Sequence, residues 1–160
     1  MPVAGVANGG VVQASISGNT TAYWGLLSIT GAIDVNKFTF DTAGFSSAST
    51  FDVAIYSEDG QTQYFNHETA NITGNGDKTE TLASTVTIPS GNAYVAFIPN
   101  DGSASMQPKF WDDVAAISTP NGKAIYAGTT TETAGTLPAS IDPASITASA
   151  NKALVIRLDN

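Results

Sequence analysis

The chain has 160 residues, of which 42% are hydrophobic and 12% charged, and its net charge is -8. That length suits one domain with a buried core, while the acidic balance argues against nucleic-acid and anionic-membrane partners, whose phosphates would repel it. There is no cysteine, which excludes disulfides, thiolate nucleophiles and cysteine-based zinc sites together.

Polarity comes from uncharged residues instead, with 20 Thr, 15 Ser and 15 Gly. Threonine favours strands, and Ser, Gly and Asn favour turns, so the mix predicts an all-β protein with a hydroxyl-rich surface. The longest apolar runs are too short to cross a bilayer as a helix. The opening Met-Pro-Val-Ala-Gly-Val has neither a basic start nor a continuous apolar stretch, so no secretory signal is expected.

Residues 1–10 hold three glycines and little to pack. They read as an N-terminal arm that orders against a neighbouring subunit or docks as an edge strand. Residues 11–160 are expected to form one domain. A strand is predicted over 11–16, with Val12, Ala14 and Ile16 on one side. Another covers 23–30, where Tyr23, Leu27 and Ile29 share a face opposite Trp24 and Leu26. In the next, over 33–41, Ile33 and Val35 are in one phase and Phe38 and Phe40 in the other, which predicts a bulge near Asn36 and Lys37.

The clearest local signal lies over 50–65. Phe51, Val53 and Ile55 alternate with Asp52, Ala54 and Tyr56, and Ser57-Glu-Asp-Gly60 then makes a turn before a second strand. Residues 67–77 read as a loop. A strand over 81–88 carries Leu82, Ser84, Val86 and Ile88 in phase, and Pro89-Ser-Gly91-Asn turns the chain into an apolar strand over 94–98. Residues 101–113 read as a loop bearing Phe110-Trp111-Asp112-Asp113, and two short strands are expected around Pro120-Asn-Gly122. Residues 129–150 are nearly all Thr, Ala, Ser, Gly and Pro, with an echo of Pro138-Ala-Ser-Ile141 in Pro143-Ala-Ser-Ile146. They read as an extended surface strap. A closing strand places Leu154, Ile156 and Leu158 inward. Short strands with regular turns and no helical period predict a two-sheet antiparallel sandwich of jelly-roll type, with a partly open barrel as the alternative.

Chemistry is sparsely signalled. His67 is the only histidine, so triads and imidazole metal sites have one candidate, and its polar surroundings predict a solvent-facing or loop-bonding role. Gly44-Phe-Ser46-Ser-Ala48 lacks the last glycine of a nucleophile elbow. Glu58/Asp59, Asp101 and Asp112/Asp113 could in principle supply paired carboxylates, but each falls where a turn favours Asp anyway. Calcium is the one metal these loop oxygens would suit, although no calcium-loop spacing is present, and no cofactor is expected. Sequons at Asn19 and Asn71 carry little weight without a secretory signal. The aromatic residues Trp111, Phe110 and Tyr64, with Asp112 beside them, could stack on and bond to a sugar, against the plainer reading that the rings plug one end of the sandwich.

Asp52-Val-Ala-Ile-Tyr56-Ser-Glu-Asp59-Gly60 resembles the D-V-x-I-Y-D-x-x-G hairpin of β-sandwich domains in tailed-phage virion proteins. Pro89-Ser-Gly91-Asn-Ala-Tyr94-Val-Ala96 is similar to their P-x-G-x-Y-x-A, and Thr136-Leu-Pro-Ala139 to the T-L-P-A of their Thr/Ala/Pro-rich tail. The likeness covers roughly residues 20–160. It departs at Ser57, where the family often has Asp, and around Phe110-Trp111. The resemblance implies a non-enzymatic virion component of capsid-decoration, head-fibre, baseplate or tail-fibre type. Such proteins assemble with other virion proteins, often as trimers, and contact host-surface glycans in some roles; no catalytic residue carries over. The competing expectation is a carbohydrate-binding module using the loop aromatics.

Overall fold

The computed structural model describes residues 11–13, 16–45, 50–70, 72–102, 105–111, 117–118, 124–125, 128–148, 154 and 156–160. In chain order the strands are β1 (Val11–Gln13), β2 (Ile16–Ser17), β3 (Thr21–Ile29), β4 (Ile33–Phe45) and β5 (Phe51–Ser57). Next come β6 (Gln63–Glu68), β7 (Gly76–Ile88), β8 (Gly91–Pro99) and β9 (Ser105–Trp111). A ribbon of β10 (Ile117–Ser118) and β11 (Ala124–Ile125) precedes β12 (Gly128–Thr131), β13 (Thr147–Ala148) and β14 (Ile156–Asp159). One sheet runs β13-β12-β3-β8-β5-β6. The other runs β1-β9-β4-β14, with β2 added on β9 and β7 on β4. All described pairings are antiparallel, and the two sheets close on a shared core. The protein is an all-β sandwich.

Alternation builds that core. Odd-numbered residues of β3, β5 and β8 point inward: Tyr23, Leu27 and Ile29; Phe51, Val53 and Ile55; Ala93, Val95 and Phe97. Val35, Phe38 and Phe40 of β4 meet them from the opposite sheet, with Ile88, Ile156 and Leu158 beside them. On β4 the inward phase changes where the register with β7 shifts, between Val35 and Lys37, as the sequence predicts. The slip lets an odd residue and an even one enter the same core. Phe40 and Phe51 meet edge to face at 5.0 Å, and Phe38 stacks on Phe65 at 5.9 Å. Each such side chain contributes about 1.5–3 kcal/mol through apolar burial.

The even-numbered residues of the same strands form a second core on the outer face. Ala22, Trp24, Ala54, Tyr56, Ala96 and Ile98 are buried there under Leu137 and Ile141, with Ile146 packed alongside. The cover is the 128–148 segment. It pairs through β12 with β3, forms a short 3-10 turn at Pro143–Ser145 and returns as β13. The echo seen in the sequence has a use here, because Ile141 and Ile146 both land on this outer cluster. Hydrogen bonds hold the cover down: Tyr56 Oη donates to the Pro138 carbonyl at 2.6 Å, and Ile141 N to the Gly60 carbonyl at 2.9 Å. Gly60 takes φ +72°, and a Cβ there would overlap the Ile141 carbonyl oxygen. Only glycine meets both demands.

The apolar residues of the strap seal this chain's own sheet. Several expectations need correction. Residues 105–111, expected as a loop, are strand β9, paired with β1, β2 and β4. The 67–77 loop is shorter than expected, since β6 runs to Glu68 and β7 begins at Gly76. The N-terminal arm, 1–10, lies outside the described residues, as do Asp112 and Asp113.

Candidate functional site

His67 lies on β6 opposite Val53, so it shares the inward face instead of facing solvent. Its side chain is 21% exposed and its Nε2 lies 3.2 Å from Glu80 Oε2 on β7. The ring meets Phe38 edge-on at 5.5 Å. The pair therefore bridges the two sheets along one edge of the sandwich. Glu80 Oε2 also accepts from the Ala70 amide at 3.3 Å.

The aromatic candidates are divided between the sheets. Phe110 and Trp111 lie on β9, in register with Val12 and Val11. Tyr64 lies on β6, the edge strand of the other sheet, whose neighbour across the core is β7. The structure brings Tyr64 next to a different set of residues. Asp101 is exposed at the opposite end of β8 from the 57–60 turn. Among the described residues no group of three or more His, Cys, Asp or Glu side chains could hold a metal ion.

What Tyr64 does join is an open depression of about 450 Å³ lined by Ser57, Glu58, Asp59, Tyr64, Ser90, Gly91 and Asn92. Three features of the chain produce it. Strands β5 and β8 are antiparallel with Ser57 opposite Ala93, so the turn leaving one and the turn entering the other sit at the same end. The β5–β6 register slips between Ile55 and Tyr56: Ile55 pairs with Phe65 and Tyr56 with Gln63. Tyr64 is thus the extra residue of a bulge, and such an insertion re-aims a side chain. It packs against the inner core, while Gln63 turns to the outer face and donates to Tyr56 Oη at 2.9 Å. Finally, Gly91 takes φ +126° at the start of β8, a conformation that favours glycine.

The turn holds its polar groups in fixed positions. Asp59 Oδ1 accepts from Ser57 Oγ at 2.5 Å and from the Gln61 amide at 3.0 Å. These bonds favour the ionised carboxylate, and the Ser57 bond is foremost in holding its pKa below the ordinary value. Asn92 Nδ2 donates to Glu58 Oε1 at 3.0 Å, tying the two turns together. Burial raises the Tyr94 phenol above its ordinary value, with the Glu58 charge adding to the effect. The second oxygens of Glu58 and Asp59, the Asn92 carbonyl and the Tyr64 hydroxyl take no partner among the described residues. An aromatic ring beside fixed acceptors is equipped to bind.

Sequence reasoning found Tyr64, Glu58 and Asp59 separately and read Ser90, Gly91 and Asn92 only as a turn. The signal that unites them is topological: two turns flanking paired antiparallel strands must share one end of the sheet. In comparison with known proteins, no protein-family model matches the chain and no curated protein is significantly similar to it in sequence.

Proposed function

We propose that the protein is a non-enzymatic structural component of a tailed-phage virion, of capsid-decoration, tail or fibre type. It acts by assembling with copies of itself, as a trimer for preference, and with other virion proteins. The observation that carries the reading is the meeting of the three sequence pieces that resemble virion sandwich domains. Tyr56 of the hairpin motif pairs across the sheet with Tyr94 of the second motif. Its hydroxyl bonds Pro138 of the third, and Leu137 from that same piece packs in the outer cluster with Tyr56. Pieces spread from residue 52 to 139 act as one packing unit, which supports a shared module over scattered coincidences.

The free perimeter supports the assembly mechanism. Strand β7 has 13 residues and pairs only with β4 among the described residues. Its exposed positions include Thr79, Thr81, Ala83, Ser84, Thr85 and Thr87. The Thr81–Thr87 stretch of this edge carries small neutral exposed side chains and no proline, while Asp77, Lys78 and Glu80 put charge at its start, so the neutral stretch is where a neighbouring subunit can add. Native mass spectrometry tests the proposal directly. We expect a species of three copies of the 16.4 kDa chain, and imaging of particles should place it on the virion. A monomer at all concentrations, together with its absence from purified particles, overturns the reading.

A further inference from the structure

We propose that the depression between the 57–60 and 90–92 turns is a binding site for a neutral saccharide. Tyr64 supplies the surface on which a pyranose ring lies, and Glu58, Asp59 and Asn92 bond its hydroxyls.

A sugar presents an apolar C–H face and a rim of hydroxyls, and each needs its own partner. The bulge gives the first. With regular β5–β6 pairing, alternation would turn residue 64 towards the face that the strap covers; the inserted residue places Tyr64 at the end of the sandwich instead. Anchoring against the inner core holds the ring still, so binding costs little side-chain entropy. The turns give the second partner. The Asp59 and Glu58 carboxylates are each held by one oxygen and leave the other for a ligand. Asn92 keeps its carbonyl as an acceptor, and Ser90 adds a hydroxyl at the rim. The depression is open to solvent, with a volume of about 450 Å³.

Charge sets the class of sugar. Two carboxylates line the depression, and Lys and Arg are absent from its lining. A sialylated, sulfated or phosphorylated sugar would meet repulsion with no cation to offset it. Neutral hydroxyls meet strong acceptors in the same place. The inference stands apart from the assembly reading, because saccharide binding is measured on whatever oligomer the protein forms. Failure of either leaves the other in place.

The test is titration calorimetry on the full chain with maltotriose, chitotriose and lactose, and with sialyllactose as the anionic probe. At least one neutral probe should saturate the protein. Tyr64→Ala should weaken it about tenfold or more, equivalent to roughly 1.4 kcal/mol, whereas Tyr64→Trp should stay within about threefold, or roughly 0.65 kcal/mol. Asn92→Ala, at the partly exposed rim, provides the decisive variant if Tyr64→Ala does not fold, and it too should weaken binding. Sialyllactose should bind more weakly than lactose. Absence of binding by all three neutral probes overturns the proposal. So does binding that neither substitution alters, or a preference for sialyllactose.

Discussion

Along β3, β8 and β5 neighbouring residues belong to different cores, and the two are closed by different means. Inward residues such as Phe51, Val53 and Phe97 meet a second sheet, so each is held by several strands at once. Outward residues such as Trp24, Tyr56 and Ile98 meet one irregular segment, anchored by Leu137, Ile141 and a few hydrogen bonds. Trp24 illustrates the difference: its Nε1 donates to Thr130 Oγ1 at 2.8 Å, and Thr130 in turn bonds Glu132. Sheet-on-sheet packing spreads a defect through the whole sandwich, whereas a strap confines it. The inner core should therefore fail globally and the outer one locally.

The largest effect should come from Phe38→Ala. Phe38 is fully buried and touches Phe40, Phe65 and His67 from the centre of the inner core. Truncating a buried phenylalanine costs about 3–5 kcal/mol, much of the stability of a domain this size. Urea titration followed by tryptophan fluorescence should show either an unfolded protein or an unfolding free energy lowered by that amount. A loss under about 1 kcal/mol would mean that Phe38 does not hold the two sheets together.

Gly60→Ala should sharpen the contrast from the other side. The substitution meets the Ile141 carbonyl and requires positive φ from an L side chain, a combination that costs more than about 1 kcal/mol. Hydrogen exchange should rise at Ile141, whose amide bonds Gly60, and at neighbouring strap amides. Amides between β3, β8 and β5 should keep their protection. If protection falls equally everywhere, the two cores form one cooperative unit and the distinction disappears.

How far these cores were legible depended on how each is closed. Val35, Phe38, Phe51, Val53, Ile55 and Leu158 are legible by alternation, because successive side chains of a strand point to opposite faces. The strap has no such period, since Leu137, Ile141 and Ile146 reach the sheet from irregular backbone. Strand β9 was hidden by Pro108, which reads as a breaker. It sits opposite Thr42 where the β4 register slips before Gly44, a place where a strand tolerates proline. His67 misled through its polar neighbours: Asn66 and Glu68 are exposed on either side of an inward ring. The depression was invisible for another reason, because it needs the order of strands in the sheet as well as their positions in the chain.

Tyr56 offers a pH-dependent probe of the outer core. Burial pushes its phenol up to about 12, opposed by the Gln63 hydrogen bond and aided by the Glu132 and Asp52 charges. The folded state thus keeps a proton that the unfolded chain releases near the ordinary value of 10. Between those values the unfolded state binds fewer protons, so stability is complete below pH 10 and falls towards pH 12. Tyr56→Phe removes this component along with the bond to Pro138, which costs about 1 kcal/mol at neutral pH. Denaturation at intervals up to pH 12 should show the variant losing less stability than the parent over that window. Parallel curves would show that Tyr56 ionises equally well in both states and that the strap does not seal it.

The smallest effect should lie at the His67–Glu80 bridge, which ties the sheets at an edge where water still reaches both side chains. Partly exposed pairs contribute about 0.2–1 kcal/mol, so single substitutions would mix that term with packing. His67→Ala also removes the ring contact with Phe38, and Glu80→Ala the bond to the Ala70 amide. A double-mutant cycle cancels both extras and isolates the bridge. Its coupling energy should be positive but below about 1 kcal/mol. A coupling of zero would leave the inner aromatic core as the whole of what holds that edge shut.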